Sequence, residues 1–472
     1  MGLSAVTAAM CARGRVLADP RLSPDGTVIV FLAVAAGRGA LMAVGVDGGP
    51  EVIVTTNPPP APTGGDGGGI FDWMPSGKAL VYAGADGLLY YQPLDGGPAT
   101  AIVTDGPVSA PAVAPDGTRV AYVRAGRDVA VAGLAPGGPW PIRISGRSDG
   151  VGGFRNGPDF AFDPTWSPDS ATVAWHEWDV PAMPWDDSRI VFAHADGRGE
   201  PTAVATGGPA EVSQPRFAPS GEMLSFLCDT GGWLNLWRSS PDAPGAKPLL
   251  PEQAEHGGPP WGPGERTYAW SPDGDRLVFC RNEAGFGRLC LLDLGTGQVS
   301  ELDRGCYTGL SWAGRYIAGI RSGARTPNQI VVLDPCDPLD PVDPADPADP
   351  ADPVKPSNRP ARRSVARGPV GGFEAAGLVE PETVTWEGEP VAGSGTTVHG
   401  HLYRTSSPEP GADRPPPLLV WAHGGPTAQS RVVFNPRVAY FCHRGFNVLQ
   451  VDYRGSTGWG RRYTQALRGE WG

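Results

Sequence analysis

The chain has 472 residues, enough for two or three hydrophobic cores, and its 68 Gly and 53 Pro, about a quarter of the total, exclude a protein built on long helices. A formal net charge of −12 argues against nucleic acid or an anionic membrane as partner. Seven cysteines form no CxxC pair and no zinc-ligand spacing, the N-terminal stretch lacks a basic region before its mild apolar run, and no apolar run approaches the roughly 20 residues of a membrane span. A cytoplasmic protein with reduced thiols and no metal or organic cofactor is expected.

In chain order, the first signal is a repeat. A turn of the form apolar-x-Pro-Asp/Ser-Gly occurs at Leu22–Gly26, Trp73–Gly77, Val113–Gly117, Trp166–Ser170, Phe217–Gly221 and Trp270–Gly274, with a degenerate copy at Leu310–Gly314. The six turn prolines, 24, 75, 115, 168, 219 and 272, give a period of 40 to 53 residues. Proline presets φ for the turn, Asp or Ser bonds back to the backbone, and Gly takes the positive φ that closes it. A strand follows each turn, from Val28–Phe31 to Tyr316–Gly319, and a second strand comes 13 to 22 residues after the turn proline, as in Leu41–Val46 and Leu289–Leu294. Both features count to seven, so a mainly β fold is predicted: a seven-bladed β-propeller of about four strands per blade over residues 1–334.

The fourth repeat has the longest gap between turn and second strand, the insertion His176–Asp187, with Trp178, Trp185, Glu177, Asp179, Asp186 and Asp187. Glu177 and Asp179 are candidates to line a substrate cavity and meet a peptide amine, against the alternative of a rim loop that packs its tryptophans locally.

Asp-Pro then repeats from Asp334 to Asp352 with a three-residue period that matches polyproline II, placing the carboxylates about 9 Å apart along one edge. Residues 335–360 are read as a linker or a low-complexity surface loop, the loop being favoured. Residues 361–472 form the next unit. Thr383–Trp386 and Thr397–Tyr403 read as a hairpin, in which His399 and His401 share one face and are expected to be solvated instead of holding a metal. Leu418–His423 reads as a buried strand, Asn435-Pro436 as the start of a helix through Arg444 with Gly445 as its stop, and Phe446–Asp452 as the next parallel strand. Both strands are apolar on both faces and are expected to be central in their sheet.

His423-Gly424-Gly425-Pro426 ahead of the helix, Asp452-Tyr-Arg-Gly-Ser-Thr-Gly-Trp-Gly460 after it, and a propeller in front resemble the prolyl oligopeptidase family of serine peptidases. The likeness is to its acylaminoacyl peptidase and dipeptidyl aminopeptidase branch. Thr172–Asp179, Met183–Asp186, Asp229–Trp237 and Glu255–Trp270 add to it. The resemblance implies that 361–472 are the first part of an α/β-hydrolase domain, and that a full enzyme hydrolyses short peptides or acyl-peptides with a Ser-Asp-His triad. Nucleophile, acid and base are expected beyond Gly472, so none is assigned here, and the 472 residues by themselves are expected to be inactive. His423, Gly424 and Gly425 are the oxyanion-loop candidates, because glycine lets backbone N–H groups approach a developing oxyanion. Gly146-Arg-Ser148-Asp-Gly150 matches the elbow formula but lacks a following helix, and Ser456 lacks the first glycine; both read as turns. The implied partner is a short peptide. The competing reading is a non-catalytic propeller binding module with a relic hydrolase tail.

Overall fold

A computed structural model describes the chain except residues 1–5, 13, 56, 63–67, 136–139, 147–156, 241–242, 337–359, 369–372, 374–377, 392–394, 407–413 and 470–472. Seven of its eight four-stranded sheets form the blades of a propeller, each a meander of consecutive antiparallel strands. Blade one is Arg15–Leu22, Val28–Ala35, Arg38–Gly45 and Val52–Ile53. The predicted turns join the first and second strands of each blade. Gly26, Gly77, Gly117, Gly221, Gly274 and Gly314 all have positive φ, and Ser170 takes the same conformation at φ 59°. Each turn also packs on its neighbour: Gly77 lies against Pro24, Gly117 against Pro75, Gly221 against Pro168, Gly274 against Pro219, and Gly26 against Gly314. The motif therefore recurs because it makes contacts between blades as well as within them.

Burial follows the same logic. Every pair of adjacent blades encloses its own apolar core, seven in all, and the seven-to-one pair joins Leu17, Phe31 and Val44 to Ala318, Ile330 and Val332. Among the described residues no strand is shared across that seam, and side-chain packing closes the ring. Blade seven differs from the sequence expectation. Its outer strand is Arg362–Arg367, paired with Thr326–Leu333, so the sheet extends past residue 334 and the Asp-Pro run falls inside the blade. The run was unreadable as a blade insertion because its closely spaced prolines cannot donate to a sheet. Nearly all of the run lies outside the described residues.

The innermost strands of five blades share a bulge with one residue in the left-handed region, Asp19, Ala110, Asp163, Gln214 and Gly309, at φ 49 to 65°. These bulges ring the propeller axis, where two interblade connections meet. Gly68 donates its N–H to Pro263 O at 2.9 Å, and Gly264 donates to Asp163 Oδ1 at 2.5 Å. Around this contact Asp19 accepts from Arg21 and Arg266, and Arg21 reaches Asp72 at 2.9 Å. Burial alone would raise the Asp19 carboxyl, but Arg21 and Arg266 outweigh it and hold it below the usual range. The axis is thus filled by backbone and ion pairs.

The eighth sheet has the order Glu382–Val391, Gly395–Tyr403, Asn447–Asp452, Leu418–Ala422, and only the last pair is parallel. The helix between these two parallel strands is Pro436–Cys442, with the Asn435 side chain accepting from Arg437 and Val438 N–H as N-cap. Asn447–Asp452 is interior, as expected, but Leu418–Ala422 is an edge strand with Leu418 and Val420 more than half exposed. The first described helix, Ala8–Ala12, belongs to this part of the molecule and not to the propeller: Cys11 Sγ reaches Pro436 O at 3.2 Å, and Val6 packs with Phe373, Phe434 and Ala439. All seven cysteines are free thiols. No helix among the described residues is long and apolar enough to cross a membrane.

Candidate active-site cleft

His423, Gly424 and Gly425 stand together at the carboxyl end of Leu418–Ala422, where a parallel strand delivers a loop out of its sheet. Gly424 and Gly425 are exposed, and Gly425 has φ +138°. Among the described residues neither glycine's N–H is engaged by another group, as an oxyanion-type loop requires. His423 is fixed instead. Its ring stacks on Tyr453 at 4.6 Å, the Tyr453 hydroxyl donates to His423 O at 2.8 Å, and Nδ1 lies 2.9 Å from Gly424 O.

His423 Nε2 lies 2.8 Å from Ser456 Oγ and 3.8 Å from Asp452 Oδ1. This trio has the residue types of a catalytic triad but not its wiring. Serine and carboxylate both face Nε2, whereas a triad needs the acid on Nδ1 to orient the ring. Ser456 is fully buried, and Asp452 is committed to the Ser430 N–H at 2.8 Å and Trp459 Nε1 at 3.2 Å. Burial pushes the Asp452 carboxyl up. A fluorophosphonate probe applied to the purified 472-residue chain is therefore expected to label no serine. Stoichiometric adducts on Ser456 or Ser148, located by peptide mass spectrometry, would overturn this. Ser148 lies outside the described residues.

Beside the loop a small, open cleft lies between the propeller and the segment after Asn447–Asp452, lined among others by Trp185, Glu211, Asp229, Glu255, Thr457 and Arg461. Thr457 in its wall donates its N–H to Ala428 O at 2.8 Å, three residues past Gly425. Trp261 Nε1 donates to Thr427 O at 2.7 Å, and Trp261 packs on Trp185 with ring centres 4.4 Å apart. The blade-four insertion does reach toward the hydrolase part, through Trp185. Glu177 and Asp179 are elsewhere. Both are held by Arg189, at 2.8 and 2.7 Å, and Glu177 also accepts from Trp175 Nε1 at 2.6 Å.

The acidic groups in the cleft are three that sequence reading did not single out. Asp229 accepts from the Glu211 N–H at 2.9 Å and pairs with Arg461, while Glu255 accepts from Leu234 N–H at 2.5 Å and Gly460 N–H at 3.1 Å. Burial raises all three carboxyls, Glu255 to about 7 and Glu211 well above its usual range. Asp229 and Glu255 open two of the segments that carry the family likeness, but nothing in the sequence joins them to Glu211 or to the distant Arg461. His399 and His401 are not solvated as expected: His399 stacks on Trp459 at 3.6 Å, and His401 is buried with Nε2 2.9 Å from Ala284 O. No group of metal-binding side chains occurs among the described residues.

The profile of the prolyl oligopeptidase family matches residues 432–472. Dipeptidyl peptidase family member 6 of Caenorhabditis elegans is 50% identical over 58 residues, 12% of this chain and 8% of that protein. In fold, a Mycobacterium tuberculosis puromycin-hydrolyzing peptidase superposes with a TM-score of 0.77 at 24% identity, over 100% of this chain and 71% of that one. A puromycin hydrolase complexed with PGG gives 0.73 at 27% identity, again over 100% and 71%. The matched segment is thus under a tenth of the curated relative's length, while the fold agrees along the whole chain. The C-terminal residues 432–472 thus resemble the prolyl oligopeptidase family, and the fold of the whole chain is that of these propeller-plus-hydrolase structures.

Proposed function

We propose that the chain supplies the propeller and the oxyanion side of a serine-type peptidase acting on short peptides or acyl-peptides. One observation carries the reading: the Gly424-Gly425 loop is exposed with its N–H groups unspent, three residues before Ala428, which Thr457 ties to a cleft walled by propeller and hydrolase residues together. In the reaction those N–H groups would stabilise the oxygen of a tetrahedral intermediate, and the propeller would admit only a short peptide end. Tyr453 and Ser456 hold His423, and through it the loop, in place. Glu177 and Asp179 enter as residues that brace, through Arg189, the insertion that carries Trp185 to the cleft.

The test removes the donor and spares the shape. In a full-length homologue, Pro at the position of Gly424 deletes the N–H, whereas Ala keeps it, and an added Cβ at Gly424 meets nothing within 4 Å. The Pro variant is expected to lose about 10²- to 10³-fold in kcat with KM little changed, and the Ala variant to stay near wild type. Equal losses in both, or a change confined to KM, would refute an oxyanion role for this loop.

A further inference from the structure

We propose that the propeller axis is a binding site for one small monovalent anion of chloride size, held by Gln214, Arg216 and Arg266. Three guanidinium groups, Arg21, Arg216 and Arg266, lie within reach of one another's charge there. Asp19 accepts from Arg21 and Arg266, and Asp72 accepts from Arg21 at 2.9 Å. Arg216 is different. Its Nη2 donates to Glu265 O at 3.1 Å and its guanidinium lies over the Tyr268 ring at 5.5 Å, but it bonds to no carboxylate among the described residues. The third acid at the axis, Asp163, accepts from Gly264 N–H, and burial raises its carboxyl, so it is a weak answer to a third positive charge. Burial and then Arg21 lower Arg266 to about 9, with Arg216 acting in the same sense.

Three buried donors are left over. Arg216 Nε, Arg266 Nε and Gln214 Nε2 have no hydrogen-bond partner among the described residues. They gather about one stretch of chain. Arg216 holds Glu265 O, the Gln214 Oε1 accepts from Thr267 N–H at 2.9 Å and from Thr267 Oγ1 at 3.2 Å, and Arg266 lies between those two residues. A backbone N–H can only donate, so it fixes the oxygen of the Gln214 amide on its own side and leaves the NH₂ turned from it. Gln214 is 1% exposed, and unbonded N–H groups at such depth are costly. A water molecule would satisfy the donors and leave the charge, whereas an anion answers both.

Packing sets the size of the ion. A Cβ added at Gly264 would lie 2.0 Å from Gly69 N, and one at Gly309 would lie 2.7 Å from Pro20 Cδ. Backbone this close around the axis favours a monatomic ion over phosphate or a carboxylate. Bound there, the ion ties the strand Val212–Phe217, which carries Gln214 and Arg216, to Arg266 and through Asp19 to blade one.

The experiment is thermal unfolding of the 472-residue chain at constant ionic strength, with sodium chloride exchanged for sodium gluconate, an anion too bulky for the axis. About 0.2 M chloride is expected to raise the midpoint by about 3 °C over gluconate. Gln214→Glu keeps the bond from Thr267 N–H and supplies a carboxylate of its own, so its midpoint should be the same in both salts. Crystals of the unmutated chain grown in bromide, which avoid any folding defect of the variant, should show an anomalous peak within hydrogen-bonding distance of Arg216 Nε and Gln214 Nε2. Absence of that peak, equal midpoints of the unmutated chain in the two salts, or a chloride dependence retained in full by Gln214→Glu would each overturn the proposal.

Discussion

Replacing Gly264 by Ala is expected to unfold the propeller at markedly lower urea concentration than the parent chain. An added Cβ would lie 2.0 Å from Gly69 N and 2.1 Å from Gly68 C, and both are main-chain atoms that no rotamer change can move aside. Gly264 also has φ +82°, where an L side chain is strained. Strain and overpacking together suggest a loss of about 4 kcal/mol, a large part of the 5–15 kcal/mol typical of a folded domain. Gly208→Ala is the control, since a Cβ there meets nothing within 4 Å. If the two variants share a midpoint, the axis is not filled as described.

The second large effect is a pH dependence. Burial raises Glu255 from 4.5 in the unfolded chain to about 7 in the fold. The folded state then holds more protons between those values, so this group's contribution to stability falls as pH rises from 4.5 to 7. The size is on the order of 3 kcal/mol. His176 acts in the opposite sense. Buried without a partner and lowered to about 3, it adds stability as pH rises toward 6.5. The decisive quantity is therefore the difference between the parent and Glu255→Gln, measured by urea unfolding at pH 4.5 and pH 7.5. The parent should lose about 3 kcal/mol relative to the variant across that interval. A constant difference would mean that Glu255 is ionised throughout. Arg461→Met should steepen the parent's slope, because it removes the guanidinium that pairs with Asp229 beside Glu211.

The blades were legible because one local rule, Pro then Asp or Ser then Gly, recurs with small departures, and in four turns its Gly meets the Pro of the preceding turn. The αL bulges were not, because Asp19, Ala110, Asp163, Gln214 and Gly309 share a backbone conformation and no side-chain property. The outer strand Arg362–Arg367 was hidden behind a run that reads as the end of a domain. Glycine spacing and its strand context marked the exposed loop at Gly424 and Gly425, whereas the acidic cleft is assembled only when folding brings blade five to the segment around Arg461. Histidine misled twice. His399 and His401 alternate like solvated residues but are covered by Trp459 and the Glu283–Phe286 hairpin, a contact that no spacing within their own strand encodes.

Arg15 Nε donates to Arg367 O at 2.8 Å, tying the first strand of blade one to the last strand of blade seven. The helix Ala8–Ala12 just before Arg15 rests on the hydrolase part, and the chain returns to that part after Arg367. Both covalent crossings between the two halves therefore lie side by side at one point on the rim. The joints at blade five are noncovalent, such as Arg461 N–H to Gly232 O at 2.9 Å. A body fastened along one edge swings about that edge, so a separation of the halves pivots at blades one and seven and gapes widest near blades four and five. With Gly68 and Gly264 meeting at the axis, such a separation would uncover the cleft from that side. A distance label pair placed across Asp187 and Arg468 would widen more on opening than one placed across Arg38 and Arg437.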